Sequence, residues 1–471
     1  MTDRSHEAVG PNRPDVDGEP FVQSRRHLSL VTTMPFISES RSWRESPHFV
    51  DEVVSLERHI ARARAAEAAK LDAVFYVDFI GLNRTAIAAN PAVPFEPMTV
   101  MGAIAATTSK IGLIGTASTM YNYPFNVARQ FASIDQLSGG RSGWNVVTSF
   151  SAEKSFGLET LPSPAERYAR AQEFLDAVIA LWQSWQPDAV VADARSGVWA
   201  DVSRIHDVHV DGEYITLDAA LDVPRSPQGH PVVFQAGASA EGIAFAGRNA
   251  EAIFAATPVF TIAQEYYAAT KAAAVGAGRA AESVIVLPGL HVYLGATDEE
   301  AWASARAAAV TEHRITSILK DLEVEFPELD LSGLNPDEPI PTERFPSRER
   351  VEKWGGRRSR IEVYRRLAFD GAPIEPPTYR QFLERSAISG PHAAFIGTVQ
   401  SVADEMERWF RGGAADGFTL IGGNSVAELD RELLPELRRR DLFRTDYEGS
   451  TLRSHFALSA SQVGSSGSHP A

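Results

Sequence analysis

The chain contains no cysteine among its 471 residues. Disulfides, thiolate catalysis and cysteine-ligated metals are therefore excluded. Positive charge is also scarce, because 45 Lys and Arg residues stand against 61 Asp and Glu residues and leave a formal net charge of −16. An acidic balance of this size disfavours nucleic acid and anionic membranes as partners.

Long apolar runs are missing as well. No stretch of the sequence approaches the roughly 18 residues that a membrane-spanning helix needs. Residues 1–20 contain no apolar segment of the kind found in secretory signals. The remaining composition, 44% hydrophobic and 23% charged, is ordinary for a globular protein. These features predict a cytoplasmic protein without a membrane or nucleic-acid partner.

Composition also divides the chain. A polar stretch rich in Pro, Gly and Asp predicts a disordered N-terminal tail over residues 1–24, and the last part predicts a flexible C-terminal tail over 446–471. Residues 25–445 are predicted to form a single domain, although the length alone also allows two. Irregular or proline-rich, charged composition predicts insertions at about 188–230 and 321–390.

Short apolar runs alternate with helical patterns along the chain. A capping box, Ser163 to Glu166 with proline between them, predicts a long helix over 165–185. About eight strand–helix units favour an α/β fold of the (β/α)8 TIM-barrel type, while periodicity alone leaves an open doubly wound sheet possible. The strand-like runs lie at residues 27–33, 73–79, 111–119, 144–149, 231–235, 251–256, 284–294 and 417–422.

Polar side chains follow several of these predicted strands. Asp78, Thr116 and Asn145 each stand at or just after the end of a strand, and Gly237-Ala238-Ser239 follows another. Active sites of (β/α)8 barrels lie at the carboxyl ends of the strands, so these groups are expected to converge on one end. Each alone could instead cap the neighbouring helix or close a turn. Together they indicate a site for a polar ligand.

Ser239 admits two interpretations. A strand, Gly-Ala-Ser and then a helix place the first amides of that helix beside a small hydroxyl, which is a favourable site for a phosphate. The alternative is the nucleophile of a hydrolase in a G-x-S-x-G turn. Glu241 stands where that motif has its second glycine. The phosphate site is therefore the better interpretation.

Longer motifs carry a resemblance to a known family. GGRSGWNVVTS, PAERYARAQEFLDAVIALWQSW, VVFQAGASAEGIAFAGRNAEAIF and GTVQSVADEMERWFRGGAADGF occur in this order. The chain resembles the luciferase-like flavin-dependent monooxygenases over residues 27–440, in the branch that holds nitrilotriacetate, dibenzothiophene-sulfone and long-chain alkane monooxygenases. The resemblance implies a TIM barrel that takes reduced FMN from a separate NAD(P)H-dependent flavin reductase. It also implies O2 as co-substrate, a flavin (hydro)peroxide that oxygenates a small organic substrate, and a homodimer or homotetramer.

The resemblance further implies roles for particular residues. Asp78 and Thr116 match family positions near the flavin ring, whereas Tyr168 and the serine of Q-A-G-A-S, Ser239, match positions at the phosphate, with Ala238 beside it. Thr116 and Asn145 match a threonine and an asparagine that hold oxygen next to the ring in some relatives. A neutral amide and a hydroxyl suit that task because they can hydrogen-bond a peroxide without protonating it. No metal site is expected.

Two departures from the family pattern stand out. Pro164 occupies the position of a common histidine four residues before the E-R-Y tyrosine, and residues 36–44 lack a histidine pair frequent in the family. Both regions face substrate or cover the flavin in relatives, so a different substrate is expected. Because of Pro164, an alternative function also remains possible, namely a barrel that binds flavin or another phosphorylated ligand without oxygenase activity. His48, Trp43 and His291 are further candidates on the substrate side.

Overall fold

The computed structural model describes residues 27–34, 54–82, 87, 95–149, 151–237, 239–326, 329–347, 349–350, 358–369 and 377–459. Within these ranges, no helix combines the length and the apolar character that crossing a membrane would require. Ala238, Trp43, His48 and the predicted N-terminal tail over 1–24 lie outside the described residues.

The strands of the described chain are, in order, β1 (Ser29–Met34), β2 (Ala73–Tyr76), β3 (Gly112–Ser118), β4 (Ser142–Val147), β5 (Val190–Asp193), β6 (Val198–Ala200), β7 (Val208–Asp211), β8 (Thr216–Ala219), β9 (Val232–Ala236), β10 (Ala252–Ala255), β11 (Ile285–Leu294), β12 (Ala393–Gly397) and β13 (Gly417–Gly423). The helices are α1 (Leu56–Ala68), α2 (Pro97–Ala105), α3 (Pro124–Ser138), α4 (Pro164–Gln183), α5 (Ala240–Asn249), α6 (Phe260–Gly276), α7 (Asp298–Ala309), α8 (Glu312–Glu325), α9 (Arg358–Phe369), α10 (Tyr379–Ile388), α11 (Val399–Arg411), α12 (Val426–Arg439) and α13 (Leu452–His455).

Eight parallel strands close into a ring. Its order is β1, β2, β3, β4, β9, β10, β11 and β13, and β13 pairs back with β1. The strand β12 pairs with the C-terminal half of β11 from Leu290 to Leu294. Helices pack around the ring, so the predicted (β/α)8 TIM barrel is confirmed and the open sheet is excluded.

Alternation along the strands separates the barrel interior from the helix layer. Val31, Phe75, Ile114 and Phe234 belong to one apolar cluster inside the ring. Their sequence neighbours, such as Leu30, Val74, Leu113 and Val233, pack in the large cluster shared with the helices. Side chains along a strand point to alternate faces. Thr116 and Asn145, two residues after Ile114 and Gly143, therefore face the interior.

The helices begin and end where the sequence provides caps. Helix α4 has the predicted capping box, in which Ser163 accepts from Glu166 N–H and the Glu166 carboxylate accepts from Ser163 N–H. Helix α3 starts at Pro124 and ends at Gly139, whose φ of 71° is left-handed and suits glycine. This turn delivers the chain into β4 and so positions Asn145.

The C-terminal segment differs from its prediction. Residues 446–459 do not form a flexible tail, because Leu452 and Phe456 are fully buried in the apolar cluster inside the barrel. A Cβ built at Gly112 or Gly143, near the start of β3 and β4, would meet Leu452. The segment therefore closes the N-terminal end of the barrel. Apolar residues spaced four apart provide the burial that outweighs the entropy of ordering this segment.

The two predicted insertions have different structures. Residues 188–230 include two antiparallel hairpins, β5 with β6 and β7 with β8. The region 321–390 contributes to a separate apolar cluster built mainly from α8, α9 and α10, with Phe326, Tyr364 and Phe382 among its buried residues. Both insertions leave the ring of eight strands intact.

Candidate functional site

Thr116 and Asn145 meet inside the C-terminal end of the barrel. They are register partners on β3 and β4. Asn145 Nδ2 donates to Thr116 Oγ1 at 2.9 Å, and Thr116 Oγ1 donates to the Tyr76 carbonyl at 2.9 Å. Thr116 is 4% exposed and Asn145 is 3% exposed. These hydrogen bonds fix the amide so that its oxygen, rather than its nitrogen, remains available.

The side-chain oxygen of Asn145 differs from the other polar atoms of the pair in its hydrogen bonding. Among the described residues, Asn145 Oδ1 has no hydrogen-bond partner although it is buried. A buried acceptor left unsatisfied costs about 1–3 kcal/mol. A catalytic role, or a bound water or ion, can account for such an atom in a native protein. The pair is therefore suited to contact a ligand that carries a donor.

Asp78 lies two residues beyond the end of β2 and is half-buried. Burial and the nearby Glu96 carboxylate raise the pKa of Asp78 to about 6, although a hydrogen bond from Phe79 N–H lowers it. Near neutral pH, both forms of this carboxyl are accessible at small energetic cost. Asp78 can therefore accept a hydrogen bond when ionised and donate one when protonated.

Tyr168 and Ser239 meet at the N-terminus of α5. Ser239 is the N-cap, and its Oγ accepts from Gly242 N–H at 3.1 Å. The Tyr168 hydroxyl is hydrogen-bonded to Ser239, and burial raises the pKa of Tyr168, so this hydroxyl keeps its proton. A Cβ built at Gly242 would lie 3.0 Å from Tyr168 Oη. Amides, hydroxyls and the helix dipole at this point form a favourable environment for an anion.

Several further residues support these positions. The sequence marks Ser118 and Ser149 as polar residues at strand ends, whereas it gives no sign of Tyr266 or Tyr121. The Tyr266 hydroxyl, from α6, donates to the Gly237 carbonyl and holds the turn before Ser239. Ser118 and Ser149 share a hydrogen bond of 2.7 Å that ties the ends of β3 and β4 together. Tyr121 donates to the Ser151 carbonyl in the loop after β4. No local pattern marks these contacts, because each joins residues distant in sequence.

The structure thus brings the predicted residues into two groups. Thr116 and Asn145 form one, and Tyr168 and Ser239 form the other. Both groups lie at the carboxyl ends of the strands, since Asn145 pairs in register with Phe234 of β9, which leads to the turn before α5. Asp78 lies at the same end after β2. Within the described residues, no cluster of three His, Asp or Glu residues could hold a metal ion.

Ser239 is poorly placed as a nucleophile. Its hydroxyl caps α5 and bonds to the Tyr168 hydroxyl, and a protonated phenol is not a base that could activate it. The local geometry therefore favours the anion-site interpretation over the hydrolase interpretation.

Comparisons with known proteins agree with this geometry. The family model described as luciferase-like monooxygenase matches residues 38–416. The chain is 36% identical to N-acetyl-S-(2-succino)cysteine monooxygenase of Bacillus subtilis (strain 168), over 88% of this chain and 93% of that protein. It is 35% identical to nitrilotriacetate monooxygenase component A of Aminobacter aminovorans, with the same coverage of 88% and 93%.

A solved structure gives the same result for the fold. A riboflavin lyase, solved with modified FMN and its substrate riboflavin, superposes with a TM-score of 0.75 and 29% identity, over 91% of this chain and 95% of that chain. The resemblance found in the sequence motifs is therefore confirmed. The chain belongs to the luciferase-like monooxygenase family.

Proposed function

We propose that this barrel is the oxygenase of a two-component monooxygenase. It would accept reduced FMN from a separate NAD(P)H-dependent flavin reductase and use O2 to oxygenate a small organic substrate. The observation that carries the proposal is the buried Asn145 amide, whose oxygen lacks a partner among the described residues while Thr116 fixes its nitrogen. Membership of a monooxygenase family supports the reaction class.

The phosphate of FMN would bind at the N-terminus of α5. Ser239, Tyr168 and the first amides of the helix offer donors to a dianion, and Ala238 lies in the same turn by sequence. Gly237 and Gly242 place no side chain beside the Tyr168 hydroxyl, where a Cβ would lie 3.4 Å and 3.0 Å from Oη, respectively. The residues present therefore fit a phosphate.

The flavin ring of FMN would lie over the barrel interior, beside Asp78, Thr116 and Asn145. Reduced FMN supplies the electrons that activate O2 when it is bound. The chain itself would orient the flavin ring and keep charged side chains away from it. Thr116 and Asn145 present uncharged hydrogen-bonding groups whose positions are fixed before any ligand binds. Asp78, at half-exposure, would hydrogen-bond the polar edge of the ring with its carboxyl in either protonation state.

A barrel that binds flavin without oxygenating a substrate is the alternative. Pro164, at the first position of α4, replaces the histidine common in the family and leaves α4 with a standard proline-initiated capping box. The Thr116–Asn145 pair favours the oxygenase, because binding alone needs no unsatisfied amide in the interior.

Comparing FMN with riboflavin tests the phosphate site. Ser239→Ala should weaken FMN binding by about 10-fold, the loss of one hydrogen bond to a charged group, and leave riboflavin affinity unchanged because riboflavin lacks the phosphate. Anaerobic fluorescence and absorbance titrations with oxidised and reduced flavins would measure both. Thr311→Ala, which removes the equivalent N-cap of α8, is the control for helix capping. Equal weakening of both flavins, or no binding of either by the wild type, would contradict the proposal.

A further inference from the structure

Gly289 of strand β11 faces the barrel interior, on the same face of the strand as Leu287 and two residues nearer the C-terminal end of the barrel. A Cβ built there would lie 2.5 Å from His392 Nδ1 and 2.9 Å from Phe254 Cε2. Such distances are shorter than real Cβ contacts, so a side chain at position 289 and the imidazole of His392 exclude one another. The missing side chain at Gly289 therefore admits His392 to this space.

Strand pairing explains how His392 reaches the interior. Strand β11 pairs with β10 up to Ala255 and Pro288, and then with β12 from Leu290 and Ala393 onward. His392 immediately precedes β12 and so lies just beyond the end of β10. Its ring stacks on Phe254, with centroids 5.2 Å apart and planes 27° apart.

Partial exposure shows that solvent reaches His392. His392 and Phe254 are half-buried, whereas Leu287, below them on the same interior face, is fully buried. The rings of Phe254 and Phe75 meet edge-on with their centroids 5.9 Å apart. Phe75 in turn contacts Phe234, the register partner of Asn145. These ring contacts run from Phe254, beside His392, through Phe75 to Phe234, the neighbour of Asn145.

We propose that His392 contacts a ligand bound at the C-terminal end of the barrel. Resting on the proposed function, the inference is that its imidazole forms the wall of the flavin cavity on the side of β10 and β11, across from Thr116 and Asn145, and donates a hydrogen bond to an acceptor atom of the flavin ring. Gly289 and Phe254 position the imidazole, the first by leaving room and the second by stacking.

Chemical footprinting tests the location. Diethylpyrocarbonate modification of the full chain, mapped by mass spectrometry, should slow at His392 when FMN is added. At an FMN concentration roughly ten times its Kd, about a tenth of the protein remains free, so the rate should fall about 10-fold. His209, whose side chain is 72% exposed on β7, should react equally with and without FMN.

Two substitutions test the hydrogen bond. His392→Phe keeps a ring to stack on Phe254 but removes the donor, and should raise the Kd for FMN by about 3- to 10-fold, as expected for one hydrogen bond. His392→Gln keeps a donor and should restore most of the affinity. Gly289→Ala should behave like His392→Phe because it displaces the imidazole, while Gly276→Ala, where a Cβ meets nothing within 4 Å, should match the wild type.

The outcomes separate this inference from the proposed function. If the wild type binds FMN but His392 is not protected, or if His392→Phe binds FMN as tightly as the wild type, the role of His392 is overturned and the proposed function stands. If the wild type binds no flavin at all, both are overturned. Thermal unfolding of each variant identifies any loss of binding that is due to misfolding.

Discussion

The two ends of the barrel bury different kinds of polar side chain, paired charges at the N-terminal end and an uncharged amide at the C-terminal end. At the N-terminal end, Arg453 pairs with Glu251 and also donates to the Gln228 carbonyl, and Arg444 pairs with Asp72. At the C-terminal end, Asn145 keeps an acceptor that no described residue satisfies. Both ends are built from the same eight strands, so the difference arises from the residues placed at the strand ends.

This difference separates stability from function. Buried charges that are paired and hydrogen-bonded hold a structure together, since breaking one leaves an uncompensated charge. A buried acceptor without a protein partner lowers the stability of the fold, and at Asn145 we propose that a ligand uses it. Changes at the N-terminal end should therefore reduce stability, and changes at the C-terminal end should reduce ligand binding and reactivity.

The largest effect is expected at Arg453. Burial by itself raises the pKa of Glu251, but Arg453, together with His230 and the Val233 amide, outweighs burial and lowers the pKa. Arg453→Met would leave that carboxylate buried without its partner and should lower the free energy of unfolding by about 3–5 kcal/mol. Urea unfolding followed by circular dichroism measures this free energy.

Arg431→Ala, at an exposed pair with Glu432, is the control and should change the free energy of unfolding by less than about 0.5 kcal/mol. A small effect at Arg453 would contradict the structural role of the C-terminal segment.

A smaller, pH-dependent effect is expected at Asp78. Its folded pKa of about 6 exceeds the ordinary value of 3.8, so the ionised form is disfavoured in the folded state. The resulting instability is absent below about pH 4 and complete above about pH 6. Asp78→Asn should therefore raise the free energy of unfolding by about 1–2 kcal/mol at pH 8, after allowance for partial exposure, and by nothing near pH 4.

Unfolding measured across this range checks the sign at Asp78. The exposed Asp207 offers a matched variant, Asp207→Asn, as a control for the substitution itself. A stabilisation at Asp78 that grows as the pH falls would reverse the sign and refute the interpretation.

The smallest effect on stability should come from the Thr116–Asn145 pair. Asn145→Ala removes one hydrogen bond and one unsatisfied acceptor, so the free energy of unfolding should change by less than about 1 kcal/mol. Asn249→Ala is a matched comparison, since this buried amide bonds to Gln172 through both ends and to the Phe245 carbonyl, and it should cost more. If Asn145 proved the more costly of the two, the contrast between the ends would fail.

The residues gathered at the C-terminal end of the barrel could be predicted from the sequence better than the packing at the N-terminal end. Strand ends and the capped helix after Gly237 are local features, so Thr116, Asn145 and Ser239 could be found from pattern and resemblance. The packing of Leu452 and Phe456 inside the barrel depends on the finished ring, and a Ser- and Gly-rich end of the chain concealed it. His392 was missed for a similar reason, because its position depends on Gly289, over 100 residues earlier.

The most direct test is the reaction of the reduced-FMN complex with O2, followed by stopped-flow absorbance in the wild type and in Asn145→Ala. We predict that the wild type shows a transient whose spectrum differs from both reduced and oxidised FMN and that outlasts the oxidation of free flavin. Asn145→Ala should bind reduced FMN yet lose this transient. Single-step oxidation in the wild type at the rate of free flavin, or an unchanged transient in the variant, would contradict the assignment of Asn145 to oxygen chemistry.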